Sequence, residues 1–400
     1  MIRIAKFLGI FILVTVSIFG GIYLLNKSAI DAVFRNDLSE GTEWVPKTYS
    51  LKGLVEYLAE DPEYYSLVSI QPSRPDSSVY FNGEERRSLG NLAQLMLIAH
   101  YVDAVGSGEI DSAAVVDLSR LEALHVPGHE NKRFRQAMSD DADWMKKLGW
   151  EMRLEDLVRS LARNNVAAYA DYLYYALGKE RMASTGERFA LQSVEAPLVW
   201  AGFVTAWDPR VQLRSFDQIA KEYTQLSDSA YHAMILDYGY RYEADAAWRD
   251  SVAARVTEGT EMLFVEEKLR NRYMTRGVVS EYANFINRLF QDDLLFENER
   301  DHLKSILSWP MSNEKTARDF SAYSAIYDSR MGYLAGVDFG ASTYENIPTA
   351  QVFVMENIPV GLFMHLSSNL MTQDFQQRLI WDPALRTTAI LLLHKSSKKK

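Results

Sequence analysis

The spacing that comes nearest to known acyl-transfer chemistry is Ser312-Asn313-Glu314-Lys315. A serine three residues before a lysine puts a hydroxyl and an amine on one helical face, where the amine can activate the hydroxyl. Here the serine follows Trp309-Pro310 and precedes a polar stretch. That context predicts a helix N-cap with Glu314 in the first turn, not a nucleophile on a buried helix. Ser396 and Lys399 repeat the spacing only inside the basic tail. His125 and His129 stand four apart, but Pro127 and Gly128 between them break any helix that would aim both at one metal. The other histidines, at 100, 232, 302, 365 and 394, form no H-E-x-x-H. No metal and no cofactor is expected. The sequence has no cysteine, which excludes thiolate nucleophiles, thiolate metal sites and disulfides. It also lacks a G-x-S-x-G elbow and a phosphate-binding loop.

Composition narrows the class of partner. The net charge of −10 argues against a nucleic-acid surface, which needs a basic footprint. The basic tail at 394–400, with Lys395, Lys398, Lys399 and Lys400, reads as a solvated end that could also touch anionic lipid. Residues 7–25 carry no charge. As a helix they would span roughly 28 Å, close to the hydrocarbon thickness of a bilayer. Arg3 and Lys6 precede the run, so the expectation is a membrane anchor over 1–28 with its N-terminus cytoplasmic and the main domain periplasmic or extracellular. A cleaved signal peptide is the alternative; the run is long for one, and no A-x-A site follows it.

The elements that must hold any site follow from periodicity. Residues 29–50 read as a polar linker and 51–58 as an amphipathic helix. Residues 66–70 and 78–81 read as a hairpin around the turn at 72–76. From Leu89 the chain is apolar on every face up to Gly106, the mark of a centrally buried helix. Short helices and loops are expected over 109–150. A helix or helix pair is expected over 154–177, with Asn164-Asn165 in its middle and Gly178 at its end. Residues 180–310 read as helix-rich. Three glycines, Gly332, Gly336 and Gly340, suit turns and close backbone approach. Strands are expected at 350–356 and 360–366, then an amphipathic helix over 373–393 interrupted at Pro383. The whole is an α+β fold: one antiparallel sheet built from both chain ends, around a helical region of about 89–310, in a domain of 51–393.

This order resembles the class A β-lactamase and D-Ala-D-Ala peptidase superfamily. The run 87–101, RSLGNLAQLMLIAHY, looks like the segment that opens that family's central buried helix. The run 153–168, RLEDLVRSLARNNVAA, looks like the helix and turn that carry its Ser-Asp-Asn motif. Residues 275–307 are similar to the helix pair before the last strands. Arg330-Met331-Gly332, followed by 336–343, sits where the family has its Lys-Thr-Gly strand and hairpin. The resemblance covers most of 50–393 and is poor over about 180–270.

The departures from the family pattern fall on its chemistry. The resemblance implies a serine and a lysine one turn later at the start of the buried helix. In register, Asn91 takes the serine position and Gln94 the lysine position, with Ser88 as an alternative nucleophile three residues earlier. A carboxamide neither attacks as an alkoxide nor accepts a proton near neutral pH. The second motif reads Arg163-Asn164-Asn165, keeping the asparagine. The third reads Arg330-Met331-Gly332, or in another register Phe339-Gly340-Ala341. By resemblance, ligand-binding roles fall to Asn165, Arg330, Gly332, Gly340 and Ser342, with Arg330 clamping a carboxylate or pairing with Asp328 or Asp338. Tyr344, His365 and Asn369 are lesser candidates near the implied cleft. The expected function is a catalytically degenerate domain binding a cell-envelope ligand, such as a peptidoglycan peptide, or an envelope protein. Two alternatives stay open: an active serine hydrolase with a non-standard nucleophile, and an unrelated interaction module.

Overall fold

The computed structural model describes residues 39–397 apart from 61, 147–148, 150, 259–261, 292–293, 313–316, 319–324, 333 and 343–345. The apolar run 7–25, Lys315 and Tyr344 lie outside the described residues. Among the described residues no helix is long and apolar enough to cross a membrane.

The chain opens with helix α1 (Leu51–Glu60), strand β1 (Tyr65–Ile70) and strand β2 (Val79–Phe81), then the short strand β3 (Arg86–Ser88). Counting helices of eight residues or more, the helical region runs through α2 (Gln94–Gly106), α3 (Asn131–Met145), α4 (Leu154–Asn164), α5 (Ala167–Leu177), α6 (Trp200–Trp207) and α7 (Phe216–Tyr223). It continues through α8 (Asp228–Ala244), α9 (Ala246–Glu258) and α10 (Phe264–Asn271). Strand β4 (Arg276–Val278) returns to pair with β3 and leads into α11 (Val279–Gln291) and α12 (Glu297–Leu307). Strands β5 (Ala325–Gly332), β6 (Gly336–Ser342) and β7 (Thr349–Met355) follow, then α13 (Val360–Asn369), α14 (Met371–Trp381) and α15 (Pro383–Ser397).

The main sheet has the order β2-β1-β7-β6-β5, antiparallel throughout. Its central pair, β1 with β7, joins the two ends of the chain, so the helical region is an excursion from one sheet. Strand alternation divides the burial. Tyr65, Leu67 and Phe353 face a core built with α1, α14 and α15. Val68, Ile70, Val352, Val354, Met331 and Phe339 face the larger core of the helical region. Helix α2 runs through that larger core; its residues from Gln94 to Val102 are all buried, as its unbroken apolar sequence requires.

Two expectations need correction. Residues 360–366 form helix α13, not a strand. A short apolar run does not distinguish the two by periodicity; here Leu362 and Leu366, four apart, are the fully buried pair that packs into the core of the sheet's far face. The linker expected to reach residue 50 is folded from Ser39 onward. Gly361 N–H donates to Glu40 O at 2.9 Å, and the Trp44 ring meets Tyr57 at 5.0 Å. Gly41 has φ +77, and a Cβ there would meet Pro359 at 2.5 Å, so this crossing admits only glycine. The glycines at 332–340 lie in the β5–β6 hairpin, where Gly332 has φ +94 and stands close against Leu92, the turn and close approach that their spacing suits.

Candidate active-site cleft

Asn91 sits in the 3-10 turn Gly90–Ala93 that leads directly into α2, and Gln94 is the first residue of that helix. The turn is pinned on two sides. Tyr282 donates its hydroxyl to Leu92 O at 2.6 Å, and Leu89 N–H donates to Thr275 O at 2.8 Å. Asn91 is half-buried and Gln94 buried. Both line one cleft with Gly90, Leu97, Ala170, Pro197, Trp200, Phe203 and Met274. The sequence therefore brings the two expected positions together at a concave surface.

That cleft is almost full. Its free volume is about 20 Å³, against the roughly 10–15 Å³ that one water needs. The filling comes from residues 197–203 and 274–275, inside or bordering the segment that departs most from the resemblance. Leu198 N–H donates to Thr275 Oγ1 at 3.1 Å and ties the two segments together over the turn. Trp200 and Phe203 lie on α6 with rings 5.7 Å apart, and the buried Arg270 guanidinium stacks over Phe203 at 5.5 Å. The start of α6 is capped by a neighbouring helix: Asp171 on α5 accepts from Trp200 N–H at 2.6 Å and Ala201 N–H at 2.7 Å. Burial raises the Asp171 carboxyl to about 7, against those two amide bonds, which favour its ionised form.

Gln94 Oε1 has no hydrogen-bond partner among the described residues. An acceptor in that state beside space for about one water suits a bound water better than a substrate.

The other expected site residues separate. Gly332 comes close: it has φ +94, and a Cβ there would lie 2.8 Å from Leu92 Cδ2, so the end of β5 abuts the Asn91 turn. Arg330, two residues earlier, is nonetheless fully buried and ion-paired with the equally buried Asp338 across the hairpin. The Asp338 carboxylate also accepts from Gln351 Nε2 at 3.3 Å. Gln351 in turn donates to Gln376 O of α14 at 2.9 Å, which places this pair on the far face of the sheet. The expectation of a cleft-facing carboxylate clamp is corrected, and the alternative pairing with Asp338 is the one present. Trp309 Nε1 donates to Arg330 O at 2.9 Å, which occupies an edge carbonyl of β5.

Asn165 ends α4 in the left-handed region at φ 54, a conformation asparagine tolerates. It is buried, its Oδ1 has no partner among the described residues, and it is not among the residues lining the cleft. Gly340 is buried mid-strand in β6, between Tyr327 and Thr349. Ser342 lies at the end of β6 remote from Gly336, roughly 20 Å along the strand at its usual rise, and opens on a different groove.

Ser88 donates its hydroxyl to Asn271 O at 2.6 Å, and its amide to Glu356 Oε1 at 2.8 Å. A hydroxyl committed to a carbonyl is not activated by a base. Ser312 donates to Trp309 O at 2.6 Å and closes a turn. The two loop histidines diverge. His125 stacks on Phe134 at 4.3 Å, while His129 bonds Asp208 Oδ2 at 3.0 Å. No metal-ligating cluster exists among the described residues. His365 packs edge-on against Tyr49 at 4.4 Å and bonds Asn369 within α13.

No family model and no curated protein matches the chain. Solved structures do. A β-lactamase from Chitinophaga pinensis is 12% identical over 84% of this chain and 99% of its own, with a TM-score of 0.47. A class A β-lactamase from Mycobacterium abscessus is 10% identical over 82% and 99%, with a TM-score of 0.43. A β-lactamase from Xanthomonas campestris is 9% identical over 84% and 99%, also at 0.43. In fold, the chain is similar to the β-lactamases.

Proposed function

We propose that this chain is a catalytically silent β-lactamase-like domain, tethered to a membrane by its N-terminal apolar run, with the folded domain outside the cytoplasm and engaged with a cell-envelope partner. The observation that carries the silent reading is the cleft. The positions of the family nucleophile and lysine are Asn91 and Gln94, and they share about 20 Å³ of free space. Neither side chain attacks an acyl carbon, and no lactam or peptide enters a space of that size. The tether rests on the uncharged run 7–25 and the preceding Arg3 and Lys6. The small cleft also makes a protein partner on the outer surface a better occupant than a peptidoglycan peptide at Asn91.

The test is intact-mass analysis of the full chain after incubation with benzylpenicillin, beside the Asn91→Ser, Gln94→Lys double variant. We expect no adduct on the wild type. A wild-type adduct of the penicillin mass overturns the silent reading, and digestion then names the nucleophile. We expect the double variant to stay unlabelled as well, because Trp200 and Phe203 still fill the entrance. Labelling of the double variant alone leaves the silent reading standing and shows that the packing over the turn opens in solution.

A further inference from the structure

The far side of the sheet carries a groove of about 830 Å³, between the β1–β2 connection, the end of β6 and the α14–α15 corner. Arg386 in its wall donates all five guanidinium N–H groups to Leu379 O, Ser77 O, Ser69 O and Ser69 Oγ. That cation has no donor left for a ligand.

The surface around the chain's entry into the domain carries more. The chain enters at Ser39 and is held at once against the start of α13. Glu40 O accepts from Gly361 N–H at 2.9 Å. The Lys268 ammonium lies 3.6 Å from the Glu40 carboxylate and donates to Ile358 O at 3.2 Å. Gly41 packs directly on Pro359. The entry is therefore a fixed point of the fold.

From that point α13 turns an apolar face outward. Met364 is 54% exposed and Leu370 is 50% exposed. Phe363, half-buried, shares a stripe with Met364 and Ser367, and Leu370 continues it at the helix end. Met364 and Leu370 lie roughly 5 and 14 Å from Gly361 along the helix. Tyr49 stands beside them, 64% exposed, with its ring edge-on to the buried His365 at 4.4 Å. Exposed apolar side chains gathered on one face mark an interaction surface.

Charge around the patch is balanced. Lys47 and Lys52 flank Tyr49, while Glu43 and Glu56 lie on the same segments, with Lys52 3.6 Å from Glu56. The attraction this face offers is apolar rather than coulombic. A tyrosine between two lysines also suits a membrane–water interface, where the ring sits at headgroup level and the lysine stems reach water.

We infer that this face lies on the bilayer, with Tyr49, Met364 and Leu370 at headgroup depth, so that the domain keeps one orientation on the membrane. The inference rests on the proposed tether. Whatever path residues 26–38 take, they carry Ser39 at most roughly 50 Å from the end of the apolar run. The face at the entry is the part of the domain that this anchor holds nearest the lipid. Tethering makes the contact intramolecular, so a patch of a few side chains, too small to bind a membrane alone, is enough.

The chain has no cysteine, so single cysteines can be labelled cleanly. The experiment places nitrobenzoxadiazole on Met364→Cys or Leu370→Cys of the full chain in phosphatidylcholine vesicles that contain doxyl-labelled lipid. Leu213→Cys and Phe296→Cys, in the helical region and 73% and 77% exposed, are the controls. The expected result is blue-shifted emission and at least twofold stronger quenching at 364 and 370 than at 213 and 296, unchanged in high salt. Adding Tyr49→Asp to the Met364→Cys chain is expected to cut that quenching by half or more. Equal quenching at all four positions overturns the docking. A blue shift without quenching puts protein over the face, a second copy or the run 7–25, and overturns it too. Loss of the contrast in high salt overturns its apolar character. Flotation after an alkaline carbonate wash reads the tether separately: extraction of the chain sinks the tether, while quenching in the unwashed vesicles decides the docking in either case.

Discussion

The cleft beside Asn91 and the groove beside Arg386 flank the same five-stranded sheet, yet one holds about 20 Å³ and the other about 830 Å³. The first stands where the resemblance places chemistry, and the second stands where it places none. The difference comes from what packs over each. Over the Asn91 turn, the 197–203 and 274–275 segments supply Trp200, Phe203 and Met274 and leave little surface exposed. On the far face, α14 and α15 meet the β1–β2 connection only at their corner, and a buried cation remains in the wall. Concavity therefore does not coincide with the position of Asn91 and Gln94. A functional assignment by position alone would pick the filled cleft.

The largest expected effect tests whether Phe203 is structural packing or a removable lid. Phe203 is 1% exposed and carries the Arg270 guanidinium on its ring. Phe203→Ala should cost about 3–5 kcal/mol, from lost transfer energy and the cavity left behind. Chemical denaturation measures it. A loss below about 1 kcal/mol would mean that the ring moves freely, and the contrast between a filled cleft and an open groove would collapse.

A somewhat smaller effect sharpens the boundary between the two faces. Arg330→Met should cost about 3 kcal/mol, since it strands the buried Asp338. The loss should sit at the low end because Asp338 is already raised by burial and can take up a proton, while Gln351 still donates to it. The companion variant Arg330→Met, Asp338→Leu should recover most of the loss, as apolar replacements of buried pairs often do. An Arg330→Met variant as stable as wild type would return Arg330 to the list of ligand clamps.

How much of this was legible in the sequence depends on the kind of signal. The buried helix α2, the β1–β2 hairpin, the α4–α5 pair broken at Asn165 and the split at Pro383 all follow from local periodicity and turn chemistry, and they stand where expected. Residues 360–366 form a helix and not the expected strand because a short, mostly apolar run satisfies both equally, and only the spacing of Leu362 and Leu366 against the far-face core decides. The juxtaposition of Asn91, Gln94 and Gly332 was legible through the resemblance. The orientation of Arg330 was not: whether a strand residue faces the cleft or the far face turns on register, and a one-residue slip reverses it. Asp338, eight residues on, was the available signal, as an opposite charge spaced to pair across a tight hairpin. The groove was invisible, because Gln71 and Arg386 are 315 positions apart and meet only through β1 and α15.

The last prediction concerns the carboxylate that holds the filling in place. Asp171 is 1% exposed and caps α6, the helix that brings Trp200 and Phe203 to the cleft. Its carboxyl is raised to about 7 in the fold, from 3.8 for an unperturbed aspartate, chiefly by burial, with Glu130 adding to the rise. Tyr174, Tyr175 and Tyr242 are the other titratable groups that face it, and all three are raised and stay neutral at these pH values. The folded state therefore holds a proton that the unfolded chain has released. This stabilisation is full below about pH 4 and is lost as pH rises through about 7. Between pH 5 and 8 the loss should be on the order of 2 kcal/mol. Asp171→Asn keeps the shape and removes the titration. Glu130, Asp141 and Glu195 are also raised by burial and remain in both proteins, so the reading is the difference between the two pH profiles. Parallel profiles from pH 5 to 8 would mean that Asp171 is ionised throughout, its two amide bonds outweighing burial. A gap that closes as pH rises, with the wild type losing its margin first, would mean that ionising a carboxyl buried at the start of α6 costs the fold stability toward alkaline pH. The packing over the cleft is then the part of the molecule whose contribution to stability falls as pH rises through about 7.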